Sequence, residues 1–474
     1  MLTKVSMASF SAMPRKTSVP KQKSIPSFTG SVAGVAVEYL NGADSFLSHL
    51  KLKKAAEKVI AEVVKRLQNP KSQFLDWVKL PEKQIERGLD RIYDTVDNLR
   101  RATGNETLTV LGIGGSKHPL EHALGLSNLP GADNIHFYSG LDPMSFDKFK
   151  GEIGGQLKGS DYLVVSKSGT TFETEDAYLR IEAGLVEEYM AEGETAEEAQ
   201  QLANKHFVVV TDADASRSKL RREANAKGYS HGELFIHDDV GGRYSALDDH
   251  GLFALAYAGL SKDGMTQMLQ GAVKMTKNAL SKNIEENIAI QRAMFYVSSI
   301  RNRIRNSLHL LAGSVFGRGT REYLEQFHGE SLKDTLFTTG ILPDVQHYAA
   351  ESFFNPKNKY NVTVTMLNDR GLPGWKNYNE YVQNIVTPAF AEVHPTSLEK
   401  LNINEQGVAP EAIGAYSQLK HFETIYKGML RRAMDPRQKL VTLKNAIWEV
   451  LQPFVEAYKK RNLGKGNLHP GSNE

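Results

Sequence analysis

The feature that most restricts the fold is a recurring unit: a short apolar run stops abruptly at glycine, serine, threonine or aspartate, and a helical pattern follows. Runs at 108–113, 135–138, 162–165, 207–210 and 234–236 have this form. They are separated by about 20 to 40 residues, the interval a crossover helix needs. Apolar runs without alternation suit strands buried on both faces, and strands that alternate with helices suit parallel pairing under two helical layers. Residues 105–240 therefore read as a first, small α/β lobe.

Before that lobe, Leu50, Val59, Ile60, Val63, Val64 and Leu67 recur at helical spacing, and Asn69-Pro70 closes the segment. Ile85, Leu89, Ile92, Val96 and Leu99 give a second apolar face over 84–101. Residues 31–104 are read as a helical segment that packs on the larger lobe. Beyond Gly241, helical patterns at 252–260, 284–305, 411–430 and 439–459, with an apolar β-branched run at 360–367, predict that larger α/β lobe over 241–474, closed by C-terminal helices. The joint at 241–249 is the candidate cleft. Residues 1–30 hold Lys4, Arg15, Lys16, Lys21 and Lys23, and the first acid is Glu38. They read as a disordered basic tail, with an organellar transit segment as the alternative.

Charge narrows the partners. Lys and Arg number 58 against 55 Asp and Glu, interspersed through most of the chain, for a net charge of +3. That balance argues against a nucleic-acid or membrane surface. The basic run RNRIRN (301–306) lies in a helical pattern and reads as a polar helix face. With no cysteine, disulfides, thiolate nucleophiles and Cys-based metal centres are excluded, and a cytoplasmic location is expected. No run approaches the roughly 18 apolar residues that span a bilayer. Small-molecule chemistry remains.

Four stretches carry it. In YLVVSKSGTTFETED (162–176), Ser166, Ser168, Thr170 and Thr171, with Lys167 among them, stand where a buried strand gives way to a helix. Hydroxyls and helix amides at such a point suit a phosphate monoester, and Gly169 permits close approach. A helix cap is the plainer alternative, but it needs only one hydroxyl. In VLGIGGSKHPLEH (110–122), a second glycine turn holds Gly115 and Ser116. It is no dinucleotide fingerprint, since Lys117 occupies the third glycine position, and no P-loop, which needs four residues between its first glycine and Gly-Lys-Ser/Thr. His118 and His122 stand four apart without a third ligand in view, so no metal is expected. In DVGGRYSALDDHGL (239–252), two glycines let Arg243 point into the cleft at a developing oxyanion, with an interlobe salt bridge as the alternative. In LEQFHGESLKD (324–334), Gln326 and Glu330 are neighbours on a helix, and Glu330 is a candidate base.

In this order, GIGGS, SKSGTT, GGRYS and QFHGES resemble the glucose-6-phosphate isomerase family, built from two sugar-isomerase lobes. The resemblance implies an α/β fold of two doubly wound parallel sheets with helices on both faces. It further implies substrate-phosphate binding at Gly115, Ser116, Ser166, Lys167, Ser168, Thr170 and Thr171, with Gln326 and Gln438 at the substrate. Glu330 becomes the base, Arg243 the partner of the enediolate, and His347, in LPDVQHYAAES, the ring-opening histidine, supplied in this family by the neighbouring subunit. Lys444 is its companion in ring opening. It stands one residue before the family's lysine position, held here by Asn445, an offset that turns a helical side chain by about 100°.

The implied reaction is the reversible aldose–ketose isomerisation of glucose 6-phosphate and fructose 6-phosphate by a homodimer, with no cofactor or metal and no nucleic-acid or membrane partner. Two alternatives are an isomerase that also accepts mannose 6-phosphate and a non-catalytic phosphosugar sensor. A sensor would need the hydroxyl turn but not Glu330, Arg243 and His347 together.

Overall fold

The structure, a computed structural model, describes residues 29–434 apart from 41–42, 70–74, 230–231, 305, 333–336, 343, 346–348, 356, 369–375 and 406. The described part starts with a hairpin, β1 (Thr29–Val32) and β2 (Val35–Leu40), followed by helices α1 (Leu50–Leu67), α2 (Leu80–Arg87) and α3 (Asp90–Thr103). Then come β3 (Leu108–Leu111), α4 (His118–Ser127), β4 (Ile135–Tyr138), α5 (Pro143–Glu152), β5 (Asp161–Val165), α6 (Phe172–Ala191), α7 (Ala196–Lys205), β6 (Phe207–Val210) and α8 (Lys219–Lys227). Helices α9 (Asp249–Tyr257), α10 (Lys262–Ala279) and α11 (Ile288–Arg301) lead to β7 (Asn306–Ala312), α12 (Arg318–Leu332), β8 (Phe337–Leu342), β9 (Tyr360–Asn368), β10 (Thr396–Asn402) and α13 (Pro410–Met434).

Four strands in the order β4-β3-β5-β6, all parallel, form the first sheet. The runs of β3, β5 and β6 are buried on both faces, as the absence of alternation requires, while the edge strand β4 is half-buried at His136 and Phe137. Leu163, Val165, Val208 and Val210 face the core shared with the second lobe. Tyr162, Val164, Phe207 and Val209 join Tyr178 of α6 and Leu220 of α8 in a separate cluster. Burying each large aliphatic side chain stabilises the fold by about 1.5–3 kcal/mol.

The second sheet has six strands in the order β1-β2-β10-β9-β7-β8. Strands β10, β9, β7 and β8 run parallel, and the N-terminal hairpin adds to the β10 edge antiparallel, with Glu38 opposite Leu398. Both lobes are thus parallel α/β layers flanked by helices.

Several elements depart from the sequence reading. The start of the segment read as helical over 31–104 is instead strand, since residues 31–40 belong to the β1–β2 hairpin, which the sequence did not mark. The apolar face over 84–101 is split into α2 and α3 at Gly88, whose φ of 76° no helix continues through. The run at 234–236 makes only one parallel bridge, Ile236 to Asp212. The basic run at 301–306 is not a helix face: α11 ends at Arg301, Arg303 turns at φ 64°, and β7 begins at Asn306. Among the described residues no helix is long and apolar enough to cross a membrane.

Candidate active site

The hydroxyl-rich turn is held by its carbonyls. Thr211 Oγ1, just past β6, donates to the Ser166 and Lys167 carbonyls (2.6 and 3.0 Å), and the amides of Asp212 and Lys219 donate to the carbonyls of Lys167 and Ser168 (3.1 and 3.0 Å). Gly169 sits at φ 70°, and a Cβ there would collide with the Leu220 backbone. Glycine is therefore demanded twice, by conformation and by space.

The hydroxyls bond chiefly within the turn. Ser166 Oγ lies 3.3 Å from Thr171 Oγ1 and accepts from the Gly169 amide (3.2 Å), while the Ser168 and Thr170 hydroxyls are 2.8 Å apart. Thr171 precedes α6 in extended conformation without a side-chain cap bond. This weighs against a simple cap. The positive end of a 20-residue helix meets the cluster, the setting in which an anion is stabilised. Lys167 is turned elsewhere, its Nζ donating to the His237 carbonyl at 3.3 Å.

The second glycine turn brings the lobes together. Gly114 has φ 57°, and a Cβ on Gly115 would lie 2.5 Å from the Gly242 carbonyl carbon and 2.6 Å from the Arg243 nitrogen. Neither distance is tolerable, so backbone packs on backbone only because Gly115 has no side chain. Ser116 ends this turn. On the other side, a Cβ at Gly114 would stand 3.2 Å from Gln326 Nε2.

Helix α12 completes the arrangement. Gln326 and Glu330 share one face, as four-residue spacing requires, and Gln326 Nε2 donates to Glu330 Oε1 at 2.8 Å. Arg243 reaches across: Nη1 donates to Glu330 Oε2 at 2.6 Å and Nε to Ser331 Oγ at 3.0 Å. The Glu330 side chain remains 49% exposed. The structure thus joins Gly115, Arg243, Gln326 and Glu330 through direct packing or hydrogen bonds, while Ser116 bonds within its own turn, its amide donating to the Ile113 carbonyl. The interlobe ion pair weighed as the alternative for Arg243 is formed, with the candidate base as its partner. His347, Gln438 and Lys444 lie outside the described residues.

Sequence reasoning did not single out Ser331, although GES contains it, or the pair His237 and Asp248 at the foot of the Arg243 loop. Asp248 is fully buried. Burial alone would raise its carboxyl, but the hydrogen bond from His237, helped by the Asp249 amide, holds it below its usual range.

Two clusters bring three possible metal-ligand atoms within 4.8 Å of one another: His118, Glu121 and Glu322, and His237, Asp248 and Asp249. Protein cations already serve both. Lys117 lies 3.5 Å from Glu121, while Arg87 and Arg91 hold Asp249 at 3.1 and 2.9 Å. His122 takes no part; it stacks on Tyr323 and contacts Thr320, and burial, with Lys420 adding, lowers its pKa to about 3. A cavity of about 340 Å³ opens beside Glu121, Ser314 and Thr320. Thr320 is ten residues before Glu330, about 15 Å along α12, so this cavity is apart from the assembly at Arg243.

A family model described as phosphoglucose isomerase matches residues 57–334, which contain all four motifs. The glucose-6-phosphate isomerase of Streptococcus pneumoniae serotype 4 is 28% identical over 277 residues, 55% of this chain and 56% of that protein. That of Streptococcus equi subsp. zooepidemicus is 28% identical over 351 residues, 68% of each. The chain thus spans about half the length of the first of these curated relatives. Among solved structures, a glucose-6-phosphate isomerase from Chlamydia trachomatis superposes with a TM-score of 0.65 at 18% identity, covering 93% of this chain and 90% of that one. A hypothetical protein from Thermus thermophilus gives 0.65 at 20%, covering 87% and 96%. At such identities the structural likeness speaks for the fold.

Proposed function

The chain belongs to the phosphoglucose isomerase family, and we propose that it interconverts glucose 6-phosphate and fructose 6-phosphate through an enediolate, with Glu330 as the base. The observation that carries this reading is the meeting of Glu330 with Arg243 and Gln326 against the Gly115 turn. Moving a carbonyl between C1 and C2 requires ring opening, removal of the proton beside the carbonyl and its return to the neighbouring carbon.

Each step has a group suited to it. Hydroxyls of Ser166, Ser168, Thr170 and Thr171, with amides of the Gly115–Ser116 turn, bind the phosphate, so remote binding energy orients the reacting carbons. Gln326 fixes one oxygen of the Glu330 carboxylate, and the other can take the proton from C2 and return it at C1. Arg243 stabilises the charge on the enediolate oxygens. Its guanidinium has five donors, more than the two engaged by Glu330 and Ser331. His347, with Lys444, opens the ring, and Gln438 contacts the sugar. His347 is supplied by a second copy of the chain, which makes the working unit a homodimer. Its place is the cytoplasm.

The test is a coupled assay of fructose 6-phosphate conversion in the presence of a chelator, on the wild type and Glu330→Gln. Metal-independent turnover is expected, with kcat falling by about 10²–10⁴-fold in the variant while sugar phosphate still binds. Wild-type binding without turnover would overturn the reading in favour of a sensor. Equal activity in both proteins would remove Glu330 from its role.

A further inference from the structure

The loop that carries Arg243 leaves and rejoins the fold at one point. The backbone N–H of His237 donates to Asp248 Oδ2 at 3.1 Å, and its imidazole Nδ1 lies 2.7 Å from Asp248 Oδ1. Two residues back, the Phe235 N–H donates to Asp249 Oδ2 at 2.9 Å. Two adjacent carboxylates at the start of α9 thus close the outgoing arm of the loop, one through residue 235 and the other through residue 237. Both His237 and Asp248 are buried, at 7% and 0% exposure.

Tautomer and anchorage follow from the neighbours. Arg87 Nη1 approaches His237 Nε2 at 3.4 Å, and a guanidinium can only donate. Nε2 therefore accepts, and Nδ1–H donates to Asp248. Arg87 on α2 and Arg91 on α3 hold Asp249 in turn. Inside the loop, Asp239 takes φ 51°, which costs a non-glycine residue about 1–3 kcal/mol and persists only where the surroundings enforce it. A further contact of His237 leads to the other functional turn, since its carbonyl accepts from Lys167 Nζ.

We infer that the His237–Asp248 pair is a positioning clasp: it fixes the loop that presents Arg243 and, through Lys167, ties that loop to the hydroxyl-rich turn, so that seating the phosphate and placing the guanidinium are coupled. The inference rests on the proposed role of Arg243. It also gives Lys167 a task other than direct charge pairing with the phosphate.

The experiment is a double-mutant cycle on the full chain, with His237→Ala, Arg243→Ala and the double variant assayed for kcat and KM with fructose 6-phosphate, and His237→Gln as the conservative variant. A clasp acting through Arg243 predicts that His237→Ala lowers kcat about 10- to 100-fold with KM little changed. Glutamine, which keeps a side-chain donor, should recover most of it. In the Arg243→Ala background, His237→Ala should lower kcat by less than about twofold, because coupled residues are not additive. The same loss in both backgrounds, or none in the wild type, would overturn the clasp. If His237→Ala fails to fold, as judged by its thermal transition, the isosteric Asp248→Asn takes its place in the cycle. Amide exchange over 238–247, faster in the clasp variant than in wild type while β5 is unchanged, reads the clasp independently of turnover. An inactive wild type would thus sink the isomerase reading, and exchange would still decide the clasp.

Discussion

The two sheets stand on different chemistry. In the first lobe, β3, β5 and β6 are buried throughout, and apart from Thr109 and Asp161 their residues are apolar. In the second, β7, β9 and β10 alternate: Leu308, Leu310, Val362, Val364 and Leu398 face one apolar cluster, while His309, Thr363, Thr365, Ser397 and Glu399 face the other way and are equally buried. What meets them is a network of charges. Glu399 is bound by Arg292 of α11 (3.1 Å) and Lys420 of α13 (2.6 Å), and Glu423 by Lys420 (3.0 Å) and Lys427 (2.6 Å). Burial works against the ionised Glu399, but Lys420 and Arg292 outweigh it and lower its pKa to about 2. A sheet can therefore be closed with hydrophobic surface or with an ion-paired polar network, and the second leaves far more depending on each partner.

This contrast explains what the sequence disclosed. The first lobe announced itself because Val, Leu and Ile runs admit few readings. Strand β9 was legible for the same reason, but β7, β8 and β10 were not. In Ser307-Leu-His-Leu and Thr396-Ser-Leu-Glu-Lys, polar residues buried by partners distant in sequence look like solvated positions. Of the candidate site, the hydroxyl turn, Arg243, Gln326 and Glu330 could be singled out from glycine turns and helix spacings, and their expected roles came from the family resemblance. The turning of Lys167 to His237, and the clasp of His237 by Asp248, depend on contacts that no local pattern encodes.

The largest test of the contrast is Lys420→Met. It leaves Glu399 and Glu423 short of a cation at the centre of the second lobe, and should cost about 3–5 kcal/mol in urea unfolding. Leu163→Ala in the first lobe should cost about 2–5 kcal/mol by opening a cavity. Only the Lys420 loss should shrink as pH falls toward the carboxylate range; equal pH dependence would erase the distinction between the lobes.

Next in size, Arg243→Ala should lower kcat by about 10²–10³-fold without moving the thermal midpoint, since the side chain closes the cleft and not a core. Gly115→Ala, whose Cβ would meet the Gly242 backbone at 2.5 Å, should cost about 10²-fold in kcat by shifting Arg243.

A smaller, graded effect comes from pH. His309 and His421 are lowered to about 3, first by burial and then by neighbouring cations or histidine. Between their ordinary pKa near 6.5 and about 3, the unfolded chain binds protons that the folded protein refuses. Stability is present above pH 6.5 and falls as pH drops through that window, by about 1.4 kcal/mol per pH unit for each group once the unfolded imidazole is charged. Urea titrations from pH 7 to 5 should show the loss, and amide exchange should show it first in β7, β9 and β10. Loosening of β3 and β5 first would contradict the comparison. Least of all, Arg66→Ala, which breaks an exposed pair with Glu62 on α1, should leave the thermal midpoint unmoved.

The most direct measurement of the central claim is solvent hydrogen exchange. Fructose 6-phosphate and enzyme in deuterium oxide, followed by NMR, report the proton transfer itself, without a coupling enzyme. The account predicts deuterium entering the sugar beside its carbonyl with wild type, and exchange slowed in Glu330→Gln by about the same factor as turnover. Exchange at the wild-type rate in the variant would contradict Glu330 as the base and the cleft at Arg243 as the seat of chemistry.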